Sequence, residues 1–202
     1  FRVACSPIEH RSLLDMLLAL ETDGLAEITW LRVDACGLVD THSIERALAI
    51  GQDLMCLMWA NNEIGTVQPV EDAGRMCADA GAPLLVDATQ ALSSGVVSLE
   101  RSAATYAAIS AHKVYGPKGC GALLTTAPRD GFPHLGTTNV PGVAGFAEAC
   151  RLCGDDRENS RIRAIRDALE GALRRHQRAL KLLQATDVPT VEVRLHLAHG
   201  AL

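Results

Sequence analysis

The sequence lacks a basic stripe, and its 19 lysines and arginines against 24 aspartates and glutamates leave a net charge of -5. Proteins that grip nucleic-acid phosphates need the opposite balance, so no direct nucleic-acid binding is expected. No apolar run is long enough to span a bilayer, so a soluble protein with no membrane partner is expected. There is no even set of cysteines. The seven present (5, 36, 56, 77, 120, 150 and 153) lie mostly in apolar segments and suit reduced core thiols of a cytoplasmic protein better than a disulfide frame. Cys150-Arg151-Leu152-Cys153 has no second pair to complete a zinc site, and no metal is expected. With 48% hydrophobic and 21% charged residues, the composition excludes wholesale disorder. The chain also has no initiator Met, signal peptide or polar leader. It begins as a strand at Phe1-Arg2-Val3-Ala4-Cys5, which reads as the middle of a domain.

What is there alternates. After the apolar residues 2 to 5, Ser6-Pro7-Ile8-Glu9-His10 reads as a helix start, with Ser6 as cap, Pro7 in the first turn and Glu9 at the capping-box position. Leu13, Leu14, Leu17, Leu18 and Leu20 give a helical face up to Gly24. Glu27 to Val33 alternates like a strand, and Asp40-Thr41-His42-Ser43 caps a helix carrying Ile44, Leu48 and Ile50. Leu54 to Ala60 is continuously apolar, as a strand covered on both faces would be. A helix from about Val70 to Ala80 stops at Gly81-Ala82-Pro83, and Leu84 to Asp87 and Tyr106 to Ser110 repeat the strand pattern. Such alternation indicates a three-layer α/β domain with a mostly parallel sheet, whose ligands bind beyond the carboxyl ends of the strands. Asn62, Asp87, Gln90, Ser110, His112 and Lys113 all fall at such ends.

The stretch Ser110-Ala111-His112-Lys113-Val114-Tyr115-Gly116-Pro117-Lys118-Gly119-Cys120-Gly121 reads as a tight loop between two buried strands. A lysine there is either a solvated loop residue or a Schiff-base lysine. The second role needs a neutral amine, which burial beside His112 and Lys118 would favour. Asp87 favours that role. A carboxylate closing a buried strand needs a hydrogen bond or a cation, and pyridoxal phosphate enzymes pair such an aspartate with a ring nitrogen and a Schiff-base lysine.

Three segments then become specific: Asn61-Asn62-Glu63-Ile64-Gly65, Val86-Asp87-Ala88-Thr89-Gln90, and the lysine loop. Together with Ser6 to His10 and Gly136-Thr137-Thr138-Asn139-Val140-Pro141-Gly142, they resemble the signature segments of the class V aminotransferase superfamily, in particular the cysteine desulfurases and selenocysteine lyases. The resemblance covers most of residues 1 to about 170. It implies the large domain of a fold-type I transferase that binds pyridoxal 5'-phosphate. Lys113 would hold the cofactor and shuttle the substrate Cα proton, and Asp87 would pair with the ring nitrogen. Gln90 and Asn62 would contact the phenolic oxygen or the substrate side of the ring, and Ser110 and His112 would bind the phosphate. His10 would stack on the ring and could assist proton transfer. Thr137 would reach the phosphate of a neighbouring subunit, implying a homodimer. Glu63 is expected to organise its loop.

The implied activity is a cysteine desulfurase taking sulfur from L-cysteine to give alanine and an enzyme persulfide, with a sulfur-acceptor protein downstream, as in iron-sulfur cluster assembly. The alternatives are a selenocysteine lyase, another class V aminotransferase or lyase, or a non-catalytic dimer partner. The family pattern places a phosphate-gripping loop before the equivalent of Phe1, and a persulfide cysteine and carboxylate-binding arginine beyond that of Leu202. The sequence is therefore expected to be part of a longer enzyme, with Arg129 to Leu135 replacing the family's glycine-rich, arginine-containing segment. The expected layout is a cofactor-binding large domain over 1–141 and a helical connector over 142–185. The start of a small α+β domain follows over 186–202, with a strand at Thr190 to Leu197.

Overall fold

The computed structural model describes residues 1–94, 97–127, 136–153 and 156–184. The strand expected at Thr190 to Leu197 and the segment Arg129 to Leu135 lie outside them. The chain divides into two compact units, the first running from Phe1 through Cys153.

In the first unit the elements alternate: β1 (Arg2–Cys5), α1 (Arg11–Thr22), β2 (Glu27–Trp30), α2 (Thr41–Ile50), β3 (Leu54–Met58), α3 (Val70–Ala80) and β4 (Leu84–Asp87). There follow α4 (Leu99–Ser102), β5 (Tyr106–Ser110), β6 (Gly121–Thr125) and α5 (Val140–Leu152). Among the described residues six strands form one sheet in the order β2-β1-β3-β4-β5-β6. Every pairing is parallel except β5 with β6, which is antiparallel. The mostly parallel sheet expected from the alternation is the one found.

Successive strand residues point to opposite faces, and the core divides accordingly. Val3, Cys5 and Cys56 pack with Leu17 of α1. Ala4, Met55, Leu57, Leu84 and Val86 pack with Ile44 and Ala47 of α2 and with Val70, Ala73 and Cys77 of α3. This explains why β3 reads as an unbroken apolar run: Met55, Cys56, Leu57 and Met58 are all buried. α3 buries Val70, Ala73, Gly74 and Cys77, one stripe of a 3.6-residue repeat. Gly81 ends it in the left-handed conformation, with its N–H on the Ala78 and Cys77 carbonyls.

Two expectations are corrected. Ser6 does not cap α1; His10 does, its Nδ1 accepting from Ser12 N–H, because the preceding residues form a separate turn in which Ile8 N–H donates to Ser6 Oγ. The strand after the lysine loop is not buried. Among the described residues β6 is the last strand of the sheet, paired on one side only, and its Leu123 is exposed. Asn139 caps α5, its Oδ1 accepting from Gly142 N–H at 3.1 Å.

The second unit contributes α6 (Asp156–Gln184), a charged helix laced by pairs such as Glu158–Arg161 and Glu170–Arg174. No helix among the described residues is long and apolar enough to cross a membrane.

Candidate active site

The chain runs from β1 out to β2 and then back across to β3 on the other side of β1, so a crevice opens beyond the carboxyl ends of the strands. A cavity of about 290 Å³ lies there. Each strand end sends residues to it. The turn after β1 supplies His10 and, with the first turn of α1, Ser12; the end of β3 supplies Met58, Ala60 and Asn62. Asp87, Thr89 and Gln90 come from β4, and Ser110, His112 and Lys113 from β5. Seven of the eight side chains singled out in the sequence thus meet at one cavity. Thr137 does not line it; it stands exposed ahead of α5.

Local structure fixes these positions. A 3-10 turn at Ala111–Val114 carries His112 and Lys113, and the loop is closed by Ala111 N–H on the Cys120 carbonyl (3.0 Å) and Gly116 N–H on the Ala111 carbonyl (2.9 Å). Ser110 Oγ and His112 Nδ1 lie 2.8 Å apart, a hydroxyl and an imidazole held together as a pair. Asp87 Oδ1 accepts from Thr89 N–H at 2.9 Å. Its other oxygen has no hydrogen-bond partner among the described residues, which leaves a half-buried carboxylate oxygen for a cation. The Ser12 N–H bond at 3.2 Å makes His10 Nδ1 an acceptor, so in the neutral ring Nε2 carries the hydrogen. The burial expected to keep Lys113 neutral is not found: Lys113 is exposed, and Lys118 does not line the cavity.

Sequence reasoning missed two residues beneath this surface. Glu9, at the capping-box spacing in the sequence, is 5% exposed and accepts from Met58 N–H through Oε1 at 2.7 Å. Its Oε2 is buried with no hydrogen-bond partner among the described residues. Burial pushes the carboxyl up to about 8 against the Met58 bond, and Asp87's charge adds to the rise. Asn61, not Glu63, organises the loop after β3. Its Oδ1 accepts from Glu63 and Ile64 N–H (2.8 and 2.9 Å), and its Nδ2 donates to the Ile8 carbonyl at 2.9 Å. The only signal for either in the sequence is a polar residue beside a buried strand end. Ser12 and Thr89 also line the cavity without having been singled out.

Chemically, the cavity offers a primary amine, a carboxylate open to a cation, and a hydroxyl–imidazole pair suited to an anion. Its volume lies near the lower end of small-molecule sites, roughly 300 Å³ and up. Known proteins share this plan. The chain is 36% identical over 184 residues to a cysteine desulfurase of Gluconacetobacter diazotrophicus, covering 85% of this chain and 46% of that protein. A solved NifS-like protein superposes with a TM-score of 0.76 at 31% identity, covering 87% of this chain and 52% of its own. The solved structure of SspA in complex with cysteine does so with a TM-score of 0.70 at 30% identity, over 75% of this chain and 47% of its own. The chain spans about half the length of the curated relatives it matches. The pattern of the aminotransferase class-V family matches residues 2–135, the stretch that supplies every residue lining the cavity, and the chain belongs to that family.

Proposed function

We propose that this chain is the cofactor-binding part of a pyridoxal 5'-phosphate-dependent cysteine desulfurase, which works as a cytoplasmic homodimer and hands sulfur to an acceptor protein. The observation that carries the reading is the meeting of Lys113, Asp87 and the Ser110–His112 pair at one cavity beyond the strand ends. These residues fit the group. Lys113 would bind its aldehyde carbon, Asp87 its ring nitrogen, and Ser110 with His112 its phosphate, while Gln90 and Asn62 line the same wall. When bound, pyridoxal phosphate supplies an electron sink for the carbon beside the substrate amine.

The chain's own residues then have separate tasks. Asp87 would pair its remaining carboxylate oxygen with the ring nitrogen of the bound group. The Lys113 amine takes the proton from the substrate Cα, a role its exposed place at the cavity wall leaves it free to play. His10, with Nδ1 engaged by Ser12, presents an Nε2–H donor. The net change is L-cysteine plus an enzyme thiol going to L-alanine plus an enzyme persulfide. A sulfur atom moves from carbon to the thiol sulfur, and a proton takes its place on carbon. The cysteine held by SspA and the desulfurase relative support L-cysteine as substrate. Thr137, exposed ahead of α5, is available to a second subunit.

The test uses the purified full-length protein. It is expected to take up pyridoxal phosphate with a yellow absorbance and to form alanine from L-cysteine, and Lys113→Ala is expected to lose at least two powers of ten in alanine formation. A protein that takes up no pyridoxal phosphate, or that takes it up and forms no alanine, overturns the reading.

A further inference from the structure

Glu9 is an acid that the proposed reaction leaves unused, buried at the most informative place in the fold. β1 ends at Cys5, in register with Cys56 of β3, and Ser6 N–H still donates to the Cys56 carbonyl at 3.4 Å. In a continued parallel ladder the next donor on β3, Met58 N–H, would find a backbone carbonyl on β1. The chain has turned away by then, and the Glu9 carboxyl supplies the acceptor instead, at 2.7 Å. Met58 is in register with Asp87 on β4, and Trp59 N–H donates to the Asp87 carbonyl at 2.8 Å. One short path of backbone therefore joins Glu9 to the acid that lines the cavity. The second oxygen of Glu9 is buried and has no hydrogen-bond partner among the described residues.

Two neighbouring carboxylates in a partly dry site do not both ionise cheaply, and one keeps a proton. The surroundings decide which. Asp87 is half-buried, lines the cavity and has an N–H from Thr89, whereas Glu9 is almost wholly buried. Among the described residues the Cys5 thiol on β1, in register with Cys56 on β3, also lies in electrostatic reach of Glu9, with His10 beside it in the chain. His112 and Lys113 lie on the cavity wall shared with Asp87. The thiols bring no positive charge, and among the described residues Met58 N–H is the contact that favours an ionised Glu9.

We propose that Glu9 is a positioning residue: it replaces the missing strand at the end of β3 and keeps a proton, so that Asp87 alone carries negative charge in this corner of the site. The inference rests on Asp87 serving as the site's anion, as in the function proposed above.

The test begins with full-length protein stripped of pyridoxal phosphate, because a cation beside Asp87 would pull both acids down. A Glu that holds its proton in the folded state and loses it when unfolded makes stability fall as pH rises from its ordinary value of 4.5 to its folded value of about 8. Over that window the folded-to-unfolded ratio is expected to drop by about two to three powers of ten more in the native protein than in Glu9→Gln. The glutamine keeps an acceptor for Met58 N–H and cannot ionise. Asp87→Asn, by removing the neighbouring charge, is expected to move the upper edge of the window to lower pH.

In infrared difference spectra at neutral pH, the native protein is expected to show a protonated-carboxyl stretch that Glu9→Gln lacks. Parallel pH profiles for the native protein and Glu9→Gln, or the absence of that stretch, overturn the proposal, as does an Asp87→Asn window that does not move. A profile that behaves as expected in a protein that never takes up pyridoxal phosphate leaves the charge-sharing standing and removes the proposed function. Cofactor uptake with parallel profiles does the reverse.

Discussion

The strand ends of the first unit and the helix α6 are both readable as periodic patterns, yet they are stabilised by opposite means. In the sheet, Met55, Cys56 and Leu57 have no exposed surface, and the polar residues beyond them are held by named hydrogen bonds. In α6, Ile162, Ile165 and Leu169 are about half exposed, and order comes from carboxylate–guanidinium pairs three or four residues apart. Buried packing fixes atoms to fractions of an ångström, whereas exposed ion pairs are weak and screened by salt. A cavity that must hold four kinds of side chain in fixed relation belongs on the first kind of support.

Substitutions sharpen this contrast in graded steps. The largest effect is expected from Leu57→Ala, which opens a hole at the centre of β3 beneath the site. It should cost about 2–5 kcal/mol and be read as a fall in the unfolding midpoint. Asn61→Ala comes next. It leaves Glu63 N–H, Ile64 N–H and the Ile8 carbonyl without their partner, at about 1–3 kcal/mol. It should also accelerate amide exchange at Glu63 and Ile64 while leaving that of α6 unchanged. Arg174→Ala, which removes the exposed pair with Glu170 on α6, is expected to cost only about 0.3–0.5 kcal/mol, less in high salt. If Arg174→Ala cost as much as Asn61→Ala, the contrast between the two regions would fail.

Legibility in the sequence follows the same division. Val70 to Ala80 was readable because its stripe and its stop at Gly81 are local. The convergence of Asp87, Ser110, His112 and Lys113 was readable because parallel strands put their carboxyl ends on one side, so any polar residue closing an apolar run is a candidate. What escaped depends on partners far along the chain. Glu9 matches a capping-box spacing, but its true partner is the Met58 backbone, 49 residues away. The exposure of β6 follows from its place as the last strand of the sheet, which its apolar sequence does not reveal. Lys113 looked buried from its apolar neighbours, because the pattern of a strand says nothing about the loop that carries the side chain above it.

That Lys113 would hold the cofactor at this site is the proposal on which the rest depends. It is tested most directly by treating the full-length protein with pyridoxal phosphate and borohydride, digesting it, and locating the modified peptide by mass. A reduced pyridoxyl group on Lys113, absent from Lys113→Ala, is the predicted result. A pyridoxyl group on Lys118 or elsewhere with Lys113 unmodified, or no stable modification at all, would contradict the account.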